Sequence, residues 1–284
     1  KINFAKGCEI EGNDESGFQA AINVAKKSDI VVMVMGEDYD MSGEAASRTN
    51  IKLPGSQTKL IKRIREAVPN KKIVLVLMNG RPLDLSEEDT LADAILETWF
   101  PGTMGGNGVA DVLFGKYNPS GKLTVTFPRN LGQVPIYYNM KNTGRPIPAS
   151  NPHEDYKSHY LDSPNTPLYV FGHGLSYTTF EYSDFKLSAS TIGFSDTLTA
   201  SATITNTGDY DGHEVVQLYL HDRVGSITRP VKELKGFEKI FLKKGESKTV
   251  TFHITVEDLK FYNSKMEFNV ESGEFEIAIK GFRF

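Results

Sequence analysis

Two unbroken apolar runs, Ile30 to Met35 and Ile73 to Met78, limit the fold of the first half more than any other feature. Each is too short for a buried helix, and each stops at turn-forming residues, Gly36 in the first case and Asn79-Gly80-Arg81-Pro82 in the second. Short apolar runs bounded this way read as strands buried on both faces. The stretches around them carry helical periodicity. Phe18, Ala21, Ile22 and Ala25 recur on one face of residues 14–28, with Asp14 as a candidate cap. Leu60, Ile61, Ile64, Ala67 and Val68 do the same over residues 54–68, which end at Pro69-Asn70. A short acidic helix is predicted near 86–92, a third strand over 94–98, another helix over 106–114 and another strand over 123–127.

Strands apolar on both faces and alternating with helices predict a mainly parallel sheet covered on both sides. Connections leaving the carboxyl ends of parallel strands share one rim, and ligands collect at that rim in open α/β sheets. Here the rim gathers the loops GEDYDMSGEAASR, NGRP and WFPGTMGGNG. It therefore brings together Glu37, Glu44, Arg48, Asn79, Arg81 and Trp99.

From about residue 183 the period changes to two. Leu198, Ala200, Ala202 and Ile204 alternate with Thr and Ser; Val216, Leu218 and Leu220 follow, then Val250, Phe252 and Ile254, then Phe275, Ile277 and Ile279. Turns fall at Asn206-Thr207-Gly208-Asp209 and Lys244-Gly245-Glu246. Short strands with one buried face at this spacing predict a β-sandwich of roughly 100 residues. The fold class expected is thus α/β plus all-β: a mainly parallel α/β sandwich over 1–130, an extended wrapping linker over 131–182, and a β-sandwich over 183–284. The linker is rich in tyrosine (Tyr137, Tyr138, Tyr156, Tyr160, Tyr169, Tyr177, Tyr182), which argues for packing over the first domain rather than disorder.

Composition removes several function classes. A net charge of -4 leaves no electrostatic footprint for nucleic acid or an anionic membrane. No apolar stretch reaches the ~18 residues of a membrane helix. Cys8 is the single cysteine, so no internal disulfide can form. The histidines, His153, His159, His173, His213, His221 and His253, lack metal-binding spacing, and no metal or cofactor is expected. The opening KINFAKGCEI has neither a methionine start nor a signal-type apolar segment. It reads as an internal point of a longer polypeptide, just before an early strand.

Two carboxylates on one rim suit general acid–base chemistry, because burial and neighbours tune their proton affinity. Glycoside hydrolysis is one use of such a pair. Longer segments narrow the choice. GEAASR after a GED loop, VLVLMNGRPL, AILETWFPGTMGGNGVADVLFGKYNPSGKLTVTFPR, LYVFGHGLSYTTFEYS and RPVKELKGFEKIFLKKGE occur in that order. Together they resemble bacterial β-glucosidases of glycoside hydrolase family 3, over nearly the whole chain.

The resemblance implies the family's α/β sandwich domain followed by its fibronectin type III-like domain. It implies a retaining β-glucosidase, periplasmic or secreted, acting on terminal β-linked glucosyl residues of glucosides or oligosaccharides. It further implies that the aspartate nucleophile lies on an upstream (β/α)₈ barrel of the same polypeptide, and nothing in these 284 residues looks like that barrel. The glutamate of GEAASR matches the family's general acid/base, which places that role at Glu44. Glu37 is the runner-up, its position at a strand end favouring a structural role. A fragment without the nucleophile is expected to have little or no hydrolase activity.

Arg48 could bind a sugar hydroxyl or pin its loop by a salt bridge. Asn79 and Arg81 suit local pairing at a strand-end turn, and Trp99 suits core packing more than sugar stacking. Gly102, Gly105, Gly106 and Gly108 lack phosphate-loop lysine and dinucleotide spacing, which points to helix-start packing. Two rival readings are a non-catalytic glycan-binding or adhesive module, suited by the sandwich alone, and a nucleotide-binding α/β domain, opposed by the missing fingerprint glycines.

Overall fold

The computed structural model describes residues 1–148, 150–151 and 154–280. His153, one of the six histidines, lies outside them. The chain divides into two compact units: residues 1–113 with 126–135 and 166–169, and residues 114–125, 136–165 and 170–284. The tyrosine-rich 131–182 segment is thus shared, with only 131–135 and 166–169 in the first unit.

In the first unit, α1 (Phe18–Lys26), β1 (Ile30–Gly36), α2 (Gln57–Ala67), β2 (Lys72–Met78), α3 (Glu88–Leu91), β3 (Ala94–Glu97) and α4 (Gly105–Leu113) follow in order. Strands β1, β2 and β3 form a three-stranded parallel sheet in that order. The apolar face of α1 buries Phe18, Ile22 and Ala25, and that of α2 buries Leu60, Ile61 and Ile64. Met33 and Met35 of β1 and Ile73, Leu75 and Leu77 of β2 complete this core. Each fully buried side chain of this size stabilises by about 1.5–3 kcal/mol relative to exposure.

The two-sided covering expected of β1 is not present among the described residues. Ile30, Val32 and Val34 are exposed, while Val76, which shares their face one strand over, is buried. Asp14 does not cap α1; Gly17 holds that position, and Asp14 instead accepts hydrogen bonds from the N–H and hydroxyl of Ser16. No strand forms in the first ten residues. Residues 123–127 do not make the predicted strand either. Phe127 forms only an isolated antiparallel bridge with Tyr169, and Pro128, which has no N–H, follows at once.

The second unit holds β4 (Phe180–Leu187), β5 (Leu198–Asn206), β6 (Gly212–Asp222), β7 (Glu233–Leu242), β8 (Ser247–Ile254), α5 (Val256–Leu259), β9 (Phe261–Tyr262), β10 (Phe268–Asn269) and β11 (Phe275–Lys280). Two antiparallel sheets, β4-β5-β8 and β11-β6-β7, enclose a core of Leu198, Ala200, Ala202 and Ile204 with Val216, Leu218, Leu220, Ile240, Leu242, Val250, Ile254 and Ile279. Strand β5 alternates buried and half-buried residues along its whole length, which is the pattern of a strand with one face inward. Asn206, fully buried at its end, donates to the carbonyls of Tyr210 and Leu242 and accepts from the Thr178 hydroxyl and the Gly208 N–H. The Asn-Thr-Gly-Asp turn is thereby fixed. Of the linker tyrosines, Tyr169 packs edge-on against Phe127 within the first unit at 6.0 Å, Tyr138 stacks on Phe171 within the second at 4.1 Å, and Tyr137 and Tyr156 are exposed.

Candidate active site

The register Gly36↔Met78 and Leu77↔Glu97 brings the carboxyl ends of all three strands of the first unit to one edge. The rim anticipated from the sequence therefore exists. At its centre Gly36 takes φ +153°, and a Cβ there would stand 1.8 Å from the Met78 carbonyl oxygen. Only glycine allows β1 to end so close to β2. Gln57, at the start of α2, clasps the same residue: it accepts from the Gly36 N–H and donates to the Gly36 carbonyl, both at 2.8 Å.

Glu37 follows immediately. Its N–H donates to Met78 at 2.9 Å, and its carboxylate is turned inward and buried. Oε1 lies 2.5 Å from Nη1 of Arg48 and 2.9 Å from Nε of Arg81; Oε2 accepts from the Gly80 N–H at 3.2 Å. The Arg81 Nε contact is an ion pair rather than an aligned hydrogen bond, since that N–H has no acceptor in line. Two cations on one buried carboxylate, with a backbone donor, is an arrangement in which the charge is compensated on every side.

The Nη2 groups of both arginines reach loop carbonyls. Arg81 Nη2 donates to Met41 and, at 3.0 Å, to Ala46; Arg48 Nη2 donates to Lys52 at 3.2 Å. These grips lie on both sides of Glu44. Between them the backbone turns sharply, with Gly43 at φ +116° and Ala45 at φ 57°, and the Ala46 N–H closes the turn on the Gly43 carbonyl at 3.3 Å. Asp38 caps the one-turn helix Tyr39–Met41 by accepting from the Tyr39 N–H at 2.6 Å. Glu44 thus stands exposed at the tip of a loop whose base is tied to a buried ion cluster. Of the two glutamates of this loop, one is sealed within the fold and the other faces outward.

A third carboxyl belongs to the rim and was absent from the sequence reading. Glu97 closes β3, accepts from the Trp99 N–H at 2.8 Å and from Asn79 Nδ2 at 3.3 Å. Burial, opposed by these bonds and reinforced by the charge of Glu37, pushes it up to about 7. The one available signal was a carboxylate at the end of an apolar run beside the turn TWFPG. Trp99 itself packs on Phe127, ring centroids 5.9 Å apart. Downstream, a Cβ on Gly105 would meet the Pro101 ring at 2.5 Å, so this glycine serves the start of α4.

This geometry can be set beside known proteins. The glycosyl hydrolase family 3 C-terminal domain matches residues 2–177, and a fibronectin type III-like domain matches residues 214–281. The chain belongs to glycoside hydrolase family 3. It is 55% identical over 259 residues to the periplasmic beta-glucosidase of Salmonella typhimurium, covering 91% of this chain and 34% of that protein. It is 43% identical over 279 residues to a beta-xylosidase of Formosa agariphila, covering 98% of this chain and 37% of the other. A crystal structure of a beta-glucosidase from Listeria innocua in complex with gluconolactone superposes with a TM-score of 0.92 at 43% identity, covering 96% of this chain and 38% of that one. The chain therefore spans about a third of the length of the family 3 proteins it matches, and corresponds to their C-terminal portion.

Proposed function

We propose that this chain is the C-terminal part of a retaining β-glucosidase and that Glu44 is its general acid/base. The observation that carries the reading is the contrast within one loop. Glu37 is enclosed by Arg48, Arg81 and the Gly80 N–H, whereas Glu44 is exposed between two left-handed residues on a loop held from both sides. A general acid must reach a leaving-group oxygen on a substrate outside its own domain, and it must be held steady while doing so. Arg48 is a positioning residue in this scheme, its guanidinium being committed to Glu37 and to the Lys52 carbonyl.

The partner carboxylate of a retaining mechanism stands ~5–5.5 Å from the acid/base. An aspartate on a (β/α)₈ barrel of the same polypeptide fills that place, with a terminal β-linked glucosyl residue bound between the two. Glu44 first donates its proton to the departing oxygen as the aspartate attacks, then accepts a proton from the water that releases the sugar. The 284 residues alone accordingly have little or no hydrolase activity. A periplasmic or secreted location fits the relative from Salmonella typhimurium, whose name carries that compartment. Among the described residues no helix is long and apolar enough to cross a membrane.

The test compares the full-length enzyme with Glu44→Ala on aryl β-glucosides. Loss of activity should be severe on substrates with poor leaving groups and mild on dinitrophenyl glucosides, which need no protonation, and azide should restore turnover. Equal loss on both substrate types would remove Glu44 from the acid/base role.

A further inference from the structure

Trp99 has φ 52°, a left-handed backbone that a bulky residue seldom adopts. What holds it is the Glu97 carboxylate, which accepts the Trp99 N–H at 2.8 Å. The other carboxylate oxygen accepts from Asn79 Nδ2, and that same nitrogen also donates to the Arg81 carbonyl at 2.9 Å. Asn79 is fully buried, and its Oδ1 has no hydrogen-bond partner. A buried amide oxygen left unpaired is unfavourable, and it lacks only a donor. A protonated carboxyl supplies one: with a proton on Glu97, its O–H can turn to Asn79 Oδ1 while Asn79 Nδ2 keeps its bond to the Arg81 carbonyl.

We propose that Glu97 is a proton-linked positioning residue of the rim: its carboxylate fixes the Trp99 backbone, and binding one proton re-pairs it with Asn79 and loosens that hold. Loosening follows because a hydrogen bond to a charged acceptor is roughly twice as strong as one to a neutral oxygen. The proton comes from water and returns to it. The ionisable group facing Glu97 from the end of β1 is Glu37, whose own charge is met by Arg48 and Arg81; Thr98 and Trp99 present backbone N–H groups only.

The effect has a path to the Glu44 loop. Gly80 has no room for a side chain because Ser42 Oγ and the Phe100 ring edge would stand 2.2 and 2.9 Å from its Cβ. Phe100 follows Trp99, and Ser42 lies two residues before Glu44, so a change in the Trp99 backbone bears on that loop through one close-packed point. The inference does not depend on Glu44 being the acid/base.

Trp99 is the single tryptophan of the sequence, so its signals are unambiguous. In the 284-residue chain labelled with ¹⁵N-tryptophan, the Trp99 backbone amide resonance should move through a one-proton step near neutral pH, and tryptophan emission should follow with the same midpoint. Acrylamide quenching should be at least twofold stronger at pH 5 than at pH 9. In Glu97→Gln, which carries the neutral hydrogen-bonding pattern at all pH values, the step should vanish. A wild-type amide that stays fixed from pH 5 to 9, or an unchanged step in Glu97→Gln, would overturn the proposal. The wild-type titration decides the matter even where the variant does not fold.

Discussion

Glu37 Oε1 and Arg48 Nη1 stand 2.5 Å apart, eleven residues apart in sequence, and Glu44 lies inside the loop their contact closes. The ion pair therefore acts as the clasp of the loop, and the two glutamates divide the work of one segment. Replacing Glu37 with Gln leaves two partly buried guanidinium groups facing a neutral amide. Removing one partner of a buried charge cluster costs about 3–5 kcal/mol, and the partial exposure of both arginines places this variant toward or below the lower end. Glu44→Gln, by contrast, should shift stability by no more than about 0.5 kcal/mol, as exposed substitutions do. Urea unfolding followed by Trp99 fluorescence measures both. Equal stabilities of the two variants would refute the clasp.

Gly36 and Gly43 offer a second contrast on the same loop. A methyl group on Gly36 meets the Met78 carbonyl oxygen at 1.8 Å, so β1 and β2 must separate at the rim. Gly36→Ala should lower stability by more than about 3 kcal/mol, in the range of severe overpacking. Gly43→Ala meets nothing within 4 Å and carries only the strain of φ +116°, about 1–3 kcal/mol. The same unfolding experiment ranks them, and Gly36→Ala must be the worse.

The parts of the fold visible in the sequence are those set by local physics. Residues 30–35 and 73–78 are apolar throughout and bounded by turns, so their strands and the rim at their carboxyl ends follow from period and punctuation. The sandwich strands announce themselves by strict alternation, as at Leu198 to Ile204. What depends on distant partners was not visible. Residues 123–127 have a strand's composition yet only one bridging partner, Tyr169 for Phe127. The exposure of Ile30, Val32 and Val34 depends on what covers β1, which no local pattern encodes. Glu97 and Gln57 escaped for the same reason: their roles are defined by Asn79, Trp99 and Gly36, each brought near by the sheet and not by the chain.

In the second unit, the fully buried side chain of Asn206 makes four hydrogen bonds. Asn206→Ala strands the carbonyls of Tyr210 and Leu242 and the Thr178 hydroxyl. An unsatisfied buried group costs about 1–3 kcal/mol, and the exposed turn can recover part of this through water, so a net loss of about 2–4 kcal/mol is expected. Far-UV circular dichroism during urea unfolding should show the β-sandwich transition moving to lower denaturant with the Trp99 transition unchanged. A stability loss within about 0.5 kcal/mol, the range of a neutral surface change, would show that this turn is held by other contacts.

The pH dependence of the first unit follows from Glu97. Desolvation raises its carboxyl from 4.5 to about 7, so the folded chain binds this proton more tightly than the unfolded chain. Stability from this group is therefore full below pH 4.5 and falls as pH rises toward 7, where the loss is complete. Two and a half pH units correspond to about 3 kcal/mol at most. Glu88, raised by burial beside its hydrogen bond from Thr58, acts in the same direction, whereas Asp93 and Glu87, lowered by lysine and other donors, act oppositely and at lower pH. Comparing wild type with Glu97→Gln cancels these other groups. The two should be of similar stability near pH 4.5, and the variant should become the more stable as pH rises, by up to about 3 kcal/mol above pH 7. Unfolding midpoints measured by Trp99 emission at pH 4.5, 6 and 8 supply the difference directly. A difference that stays constant across those three values means that Glu97 does not titrate in this window.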